Sequence, residues 1–267
     1  MNDWIRVALA ASLEAGRAIL DIYESDDVGV EYKEDQSPLT RADRAAHDVL
    51  MLHLEATAIP VLSEEGKHMP FSERQGWDAL WIVDPVDGTK EFIKRNGEFT
   101  VNVALVRDGR VAGGVVLAPV LGHAYVGVVG EGAWRLEVDM TKVTSADEAW
   151  ARRAALPFDA PEGRPFTVVA SRSHMSPETE AYVEEARAQH GEVDLISKGS
   201  SLKLCMVAEG TADAYPRFAP TMEWDTAAGQ AVCEAAGCDV IDQNTNEPMR
   251  YNREELLNAW FLVSRTN

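Results

Sequence analysis

Leu80-Trp81-Ile82-Val83-Asp84-Pro85-Val86-Asp87-Gly88-Thr89 runs four apolar residues into two acids, with a proline between them and a glycine after them. A short apolar run closed by Pro and Gly reads as a buried strand ending in a turn. The two acids stand three apart, so both can face one point. Pro85 stiffens the backbone between them, and Gly88 permits a tight turn. The Val86 carbonyl can face the same way. The amides of Gly88 and Thr89 then open a short helical turn, whose free N–H groups suit a phosphate. The same Asp-Pro-x-Asp-Gly composition is also that of an ordinary surface turn.

Downstream, Phe99 to Leu105 alternates as a strand, and Asp108-Gly109 turns the chain. Val111–Leu117 and His123–Val129 continue the meander to a turn at Glu131-Gly132. Upstream, Ile5, Leu9, Leu13, Gly16, Leu20 and Tyr23 fall at helical spacing over residues 4–23. Thr40-Arg41-Ala42-Asp43 has the form of a capping box opening a second helix that runs through Leu54. Short apolar runs at Ile59–Leu62 and Leu80–Val83 lead into Glu64-Glu65 and Asp84. Residues 1–150 therefore read as an α+β domain, two helices packed on an antiparallel sheet.

Residues 138–165 are polar, carry Pro157, Pro161, Gly163 and Pro165, and read as a loop or linker. Beyond them strands and helices alternate. Strands are expected at Phe166–Ala170, Val193–Ile196, Ala212–Tyr215, Val240-Ile241 and Phe261–Val263. Helices are expected from Ser176-Pro177-Glu178, over Ser201–Ala208, and over Trp224–Ala236. Such alternation gives residues 151–267 the pattern of a smaller α/β unit.

The chain has 267 residues, 46% of them hydrophobic, and a formal net charge of −19. That length can bury a sizeable core. The acidity argues against binding nucleic acid, and it leaves room for a small phosphorylated ligand if cations offset the charge. Cys205, Cys233 and Cys238 make no CxxC motif, which argues against zinc and points to a reducing compartment. No run reads as a signal peptide or an integral membrane segment. The expected setting is cytoplasmic, in solution or on the cytoplasmic face of the inner membrane.

Acids recur at strand ends and helix starts: Glu64 and Glu65, Asp84 and Asp87, and Asp225 after Trp224. Carboxylates gathered in one cleft repel one another, and divalent cations remove that repulsion. Oxygen ligands without Cys or His favour Mg²⁺ or Mn²⁺.

Trp81 to Thr89 resembles the signature of the inositol monophosphatase superfamily of Mg²⁺-dependent, Li⁺-sensitive phosphatases. Trp224-Asp225-Thr226-Ala227-Ala228-Gly229 and Glu64-Glu65 resemble its other two motifs, in the same order. The continuation Lys90-Glu91-Phe92 resembles the branch of 3'(2'),5'-bisphosphate nucleotidases of the CysQ type. Ser171-Arg172-Ser173-His174, Gly199-Ser200-Ser201-Leu202-Lys203 and Tyr215-Pro216-Arg217-Phe218 are similar to that branch as well. The resemblance implies a layered α/β/α/β/α sandwich of the sugar-phosphatase type. It implies two or three Mg²⁺ ions per site, with Mn²⁺ as a substitute, held by Glu64, Asp84, the Val86 carbonyl, Asp87 and Asp225, with Glu65 behind them. It implies that Thr89, held by Asp43, helps a metal-activated water attack. Gly88, Thr89, Ser171, His174, Gly199 and Lys203 would bind substrate, and Arg217 is a further candidate for the phosphate that is kept. The implied reaction takes adenosine 3',5'-bisphosphate, a by-product of sulfate assimilation, to AMP and phosphate.

Plainer readings stand beside these. Asp43 is also a capping acid, His174 a surface histidine and Lys203 a solvated lysine. Trp81 and Trp224 suit packing, and the cysteines suit small apolar positions. Inositol monophosphatase or fructose-1,6-bisphosphatase activity is the alternative reaction. A non-catalytic cation-binding protein is the alternative class. The expected assembly is a monomer or homodimer.

Overall fold

The computed structural model describes the chain apart from residues 1, 26–28, 33–37, 143, 160, 162, 171–175 and 267. The first half holds helix α1 (Asp3–Tyr23), a ribbon of β1 (Glu31–Tyr32) and β2 (Pro38–Leu39), and helix α2 (Arg41–Leu54). Then come β3 (Val61–Ser63), α3 (Phe71–Arg74), β4 (Ala79–Asp87), α4 (Thr89–Ile93), β5 (Thr100–Arg107), β6 (Arg110–Ala118), β7 (His123–Val128) and β8 (Gly132–Glu137). Helix α5 (Ala146–Ala151) and β9 (Arg153–Ala155) follow. The rest is β10 (Phe166–Ala170), α6 (Pro177–His190), β11 (Val193–Ser197), α7 (Leu202–Glu209), β12 (Ala214–Arg217), α8 (Glu223–Ala235), β13 (Cys238–Asp242), β14 (Glu247–Pro248) and β15 (Phe261–Arg265).

The first sheet has seven strands in the order β3-β4-β5-β6-β7-β8-β9, and the second has six in the order β11-β10-β12-β15-β13-β14. The period-two alternation sorts the first sheet's two faces. Trp81, Val83, Val103, Leu105, Val115 and Leu117 face α1 and α2. Leu80, Ile82, Ala104, Val106, Val116 and Ala118 face α7 and α8. The far side of α7 and α8 meets the second sheet through Val169, Tyr215, Val240 and Val263. Helix α6 packs on β10, β11 and β12. The layers are thus α/β/α/β/α.

Two expectations need correction. The first sheet is mixed, because β3 pairs parallel to β4. Residues 64–78, which contain α3, return the chain to the same end of the sheet, as a parallel pair requires. Residues 138–165 are not only loop: α5 and β9 lie there. Helix α5 is opened by a capping box of Ser145 and Glu148, and Trp150 packs edge-on against Trp134 at 4.9 Å.

Strand β4 is what brings the acids to the site. It continues past Val83 through both aspartates, with Asp84 opposite Asn102 and Asp87 opposite Thr100. Three steps on β4 answer two on β5, a β-bulge of one extra residue. Pro85 has no N–H to give the ladder and is accommodated at that bulge.

Candidate active site

Asp84, Asp87 and Asp225 each offer a carboxylate oxygen, and these atoms lie within 4.8 Å of one another. Asp84 ends the regular part of β4, and Asp87 follows the bulge. Asp225 is the third residue of α8, and its Oδ2 accepts the Met222 N–H at 2.8 Å. Asp84 is buried, and its Oδ1 accepts the Val86 N–H at 3.0 Å. Burial pushes the Asp84 carboxyl well above the usual range, with Glu64, Asp87 and Asp225 adding to the effect. Burial and then the Asp87 charge push Asp225 up to about 8. Glu64 shares a hydrogen bond with Asp84 but stands outside the close trio. Such a cluster is unfavourable with its charges unopposed. Its all-oxygen donors, with the Val86 carbonyl nearby, fit a hard divalent cation.

Asp43 is buried at the start of α2, where its Oδ2 accepts the Thr40 N–H at 2.7 Å and the Thr40 hydroxyl at 2.5 Å. Its other oxygen lies 3.4 Å from the Thr89 hydroxyl, which is also 3.3 Å from the Val86 carbonyl. The capping acid therefore also faces Thr89. Burial raises the Asp43 carboxyl, and the Glu65 charge adds to that. The Glu65 charge thus bears on Asp43.

Two cavities, of about 450 and 310 Å³, share Asp87, Gly88, Lys90, Glu91 and Asp225 in their walls. Glu64, Asp84, Val86 and Thr89 line the smaller one. Lys94, Lys198, Gly199, Lys203 and Arg217 line the larger. Lys203 is not solvated: it is 7% exposed, and its Nζ donates to Ser200 O at 2.6 Å and Lys198 O at 3.3 Å. Burial lowers it to about 8. The Gly199 N–H donates to Glu98 Oε2 at 2.9 Å, and a Cβ there would lie 2.6 Å from Glu98 O. Gly88 holds φ +93, the left-handed conformation that its turn requires. Ser171 and His174 lie outside the described residues.

The sequence motifs give no role to Ser201 or Asn102. Both are buried beside Asp87, and Asn102 Nδ2 donates to Ser201 Oγ at 2.8 Å. Asn102 had one signal, a polar residue inside an alternating apolar strand.

A layered α/β sandwich that gathers three acids beside a cavity lined with cations has the frame of a metal-dependent phosphoesterase. A sequence model of the inositol monophosphatase family matches residues 1–264, and the chain belongs to that family, whose members depend on metal. The 3'(2'),5'-bisphosphate nucleotidase CysQ of Shigella flexneri is 47% identical over 254 residues, covering 94% of this chain and 95% of that protein. The crystal structure of CysQ from Bacteroides thetaiotaomicron, a bacterial member of the family, matches with a TM-score of 0.90 and 49% identity, covering 100% of this chain and 98% of that one. An IMPase of Thermotoga maritima, at 21% identity, TM-score 0.72 and 98% and 92% coverage, shares the fold. No helix among the described residues is long and apolar enough to cross a membrane.

Proposed function

We propose that the protein is a Mg²⁺-dependent 3'(2'),5'-bisphosphate nucleotidase that takes adenosine 3',5'-bisphosphate to AMP and phosphate. The observation that carries this reading is the junction of the two cavities at the carboxylate trio. One phosphate can sit at the trio while the rest of a nucleotide occupies the larger cavity. The CysQ relatives carry the same activity in their names. The division of labour follows the chain. Residues 1–150 supply Glu64, Asp84, Val86 and Asp87, and residues 151–267 supply Asp225 and the nucleotide contacts. The compartment we propose is the cytoplasm, in keeping with Cys205, Cys233 and Cys238, which are all free and buried.

Glu64, Asp84, Asp87, Asp225 and the Val86 carbonyl would hold the ions, with Mn²⁺ as a substitute for Mg²⁺. Bound there, the ions offset the crowded negative charge and acidify water at the site. Asp43 is fixed by Thr40 through one oxygen, which leaves the other for the Thr89 hydroxyl. Thr89 can then pass its proton to Asp43 as it accepts one from the attacking water. The new P–O bond forms as the bond to the ribose oxygen breaks; that oxygen leaves as a hydroxyl by taking a proton from solvent water, and Asp43 returns its proton to solvent. Lys203 spends two of its three N–H donors on carbonyls and keeps one for the cavity.

The test is phosphate release from adenosine 3',5'-bisphosphate, inositol 1-phosphate and fructose 1,6-bisphosphate with Mg²⁺, with EDTA, and with Mg²⁺ plus Li⁺. Mg²⁺-dependent preference for the nucleotide, suppressed by Li⁺, is the expected result. Preference for either sugar phosphate would keep the metal chemistry and discard the nucleotide reading. Metal binding with no hydrolysis would leave only a cation-binding protein.

A further inference from the structure

Ser201 stands at the N-cap of α7, yet its hydroxyl caps nothing there. Serine at that position ordinarily accepts an N–H of the first turn. Here the hydroxyl is turned away, and it lies 2.7 Å from Asp87 Oδ2 and 2.7 Å from the backbone carbonyl of Asp225. One hydroxyl proton serves either acceptor, one at a time. The Ser201 N–H donates to the same Asp87 Oδ2 at 2.6 Å. Asn102 Nδ2, 3.3 Å from that oxygen, also donates to the Ser201 hydroxyl at 2.8 Å. The Thr100 hydroxyl lies 3.5 Å from it. Four donors thus converge on Oδ2, which fixes the plane of the carboxylate. Asp87 Oδ1 has no hydrogen-bond partner among the described residues. Just upstream, Ser200 holds φ +45, a conformation unusual for a residue with a side chain. That turn delivers the Ser201 N–H to Asp87.

We infer that Ser201, braced by Asn102, is the positioning residue that aims Asp87 at its cation and locks it to Asp225, joining the ligands carried by β4 and α8. The inference rests on reading the trio as the metal site. A ligand carboxylate left to rotate loses affinity because the ion must then order it, and partners that orient ligands are typically worth about 10–100-fold in metal affinity.

The experiment is calorimetric titration of Mg²⁺, and separately Mn²⁺, into the full-length protein without substrate. Ser201→Ala keeps the backbone N–H and removes only the hydroxyl. We expect its metal Kd to weaken by about tenfold. Its KM for the nucleotide at saturating Mg²⁺ should stay at the wild-type value. Asn102→Ala should weaken metal binding in the same direction, and the double variant should be little worse than Ser201→Ala, because the two act as one unit. Asn102→Ala also keeps the test open should Ser201→Ala fold poorly. A wild-type metal Kd in Ser201→Ala would overturn the inference, and a raised KM beside it would make Ser201 a substrate contact instead. Fully additive losses would overturn the bracing by Asn102. Wild-type protein that binds neither ion would bring down the metal site itself, and the role of Ser201 with it.

Discussion

Asp225 serves two ends that pull against each other. It caps the start of α8 through the Met222 N–H, which favours the ionised form, while burial and Asp87 favour the protonated one. Burial wins, and the carboxyl rises from 3.8 to about 8. The folded state therefore holds this proton more tightly than the unfolded chain does. The resulting loss of stability is absent below the unfolded value of 3.8, grows as pH rises towards 8, and is complete above it. In EDTA, Asp225→Asn should raise Tm much more at pH 8 than at pH 5, because asparagine keeps an acceptor for the cap and sheds the charge. A Tm gain equal at both pH values would show that the charge is not the cause. The same variant should lose nearly all phosphatase activity. Asp84, Asp87 and Asp225 were legible because each sits in a short local pattern. Ser201 and Asn102 were not, since their meaning lies in hydrogen bonds to Asp87 across three elements, and no spacing along the chain records that.

Helix α4 is amphipathic within five residues. Phe92 is buried against Tyr23 and Phe99, with ring centroids 5.2 Å away in both cases, while Lys90 and Lys94 line the larger cavity. Neither lysine's side chain has a hydrogen bond or ion pair among the described residues. Replacing both by alanine should raise KM for the bisphosphate roughly fivefold, or about 1 kcal/mol, and affect inositol 1-phosphate less. Equal changes for both substrates would remove the pair from recognition. On the other side of the sheet, α8 lies so close that a Cβ at Gly127 would stand 2.5 Å from Ala231 O, and one at Gly114 2.7 Å from Ala228 O. Gly127→Ala should cost about 1–3 kcal/mol by overpacking, read as a lower denaturation midpoint. Most elements were legible from alternation and caps. Helix α5 was not, because the prolines and glycine that follow it outweighed its Ser145-x-x-Glu148 cap.

Across the whole molecule, the clustered acids come from well-separated parts of the chain, and α8 packs between the two sheets. Ion binding should therefore report on the entire fold. At a free Mg²⁺ concentration 100 times its Kd, binding adds about 2.7 kcal/mol. For a domain of this size that is a rise in Tm of roughly 5–10 °C. An unchanged Tm at that concentration would mean that the folded protein does not bind the ion. The layer order was legible from the family motifs. The parallel pairing of β3 with β4 was not, since a strand of three residues carries no mark of its direction.

In the second sheet, β15 slots between β12 and β13, both of which precede it by a long stretch of chain. During synthesis, Asp225 therefore emerges on a helix whose supporting sheet is still split, with β12 and β13 showing bare edges. Until Phe261–Arg265 leaves the ribosome, the nascent chain carries every acid of the site and two sticky strands. A message broken shortly before that point would yield an aggregating product, not a weak enzyme.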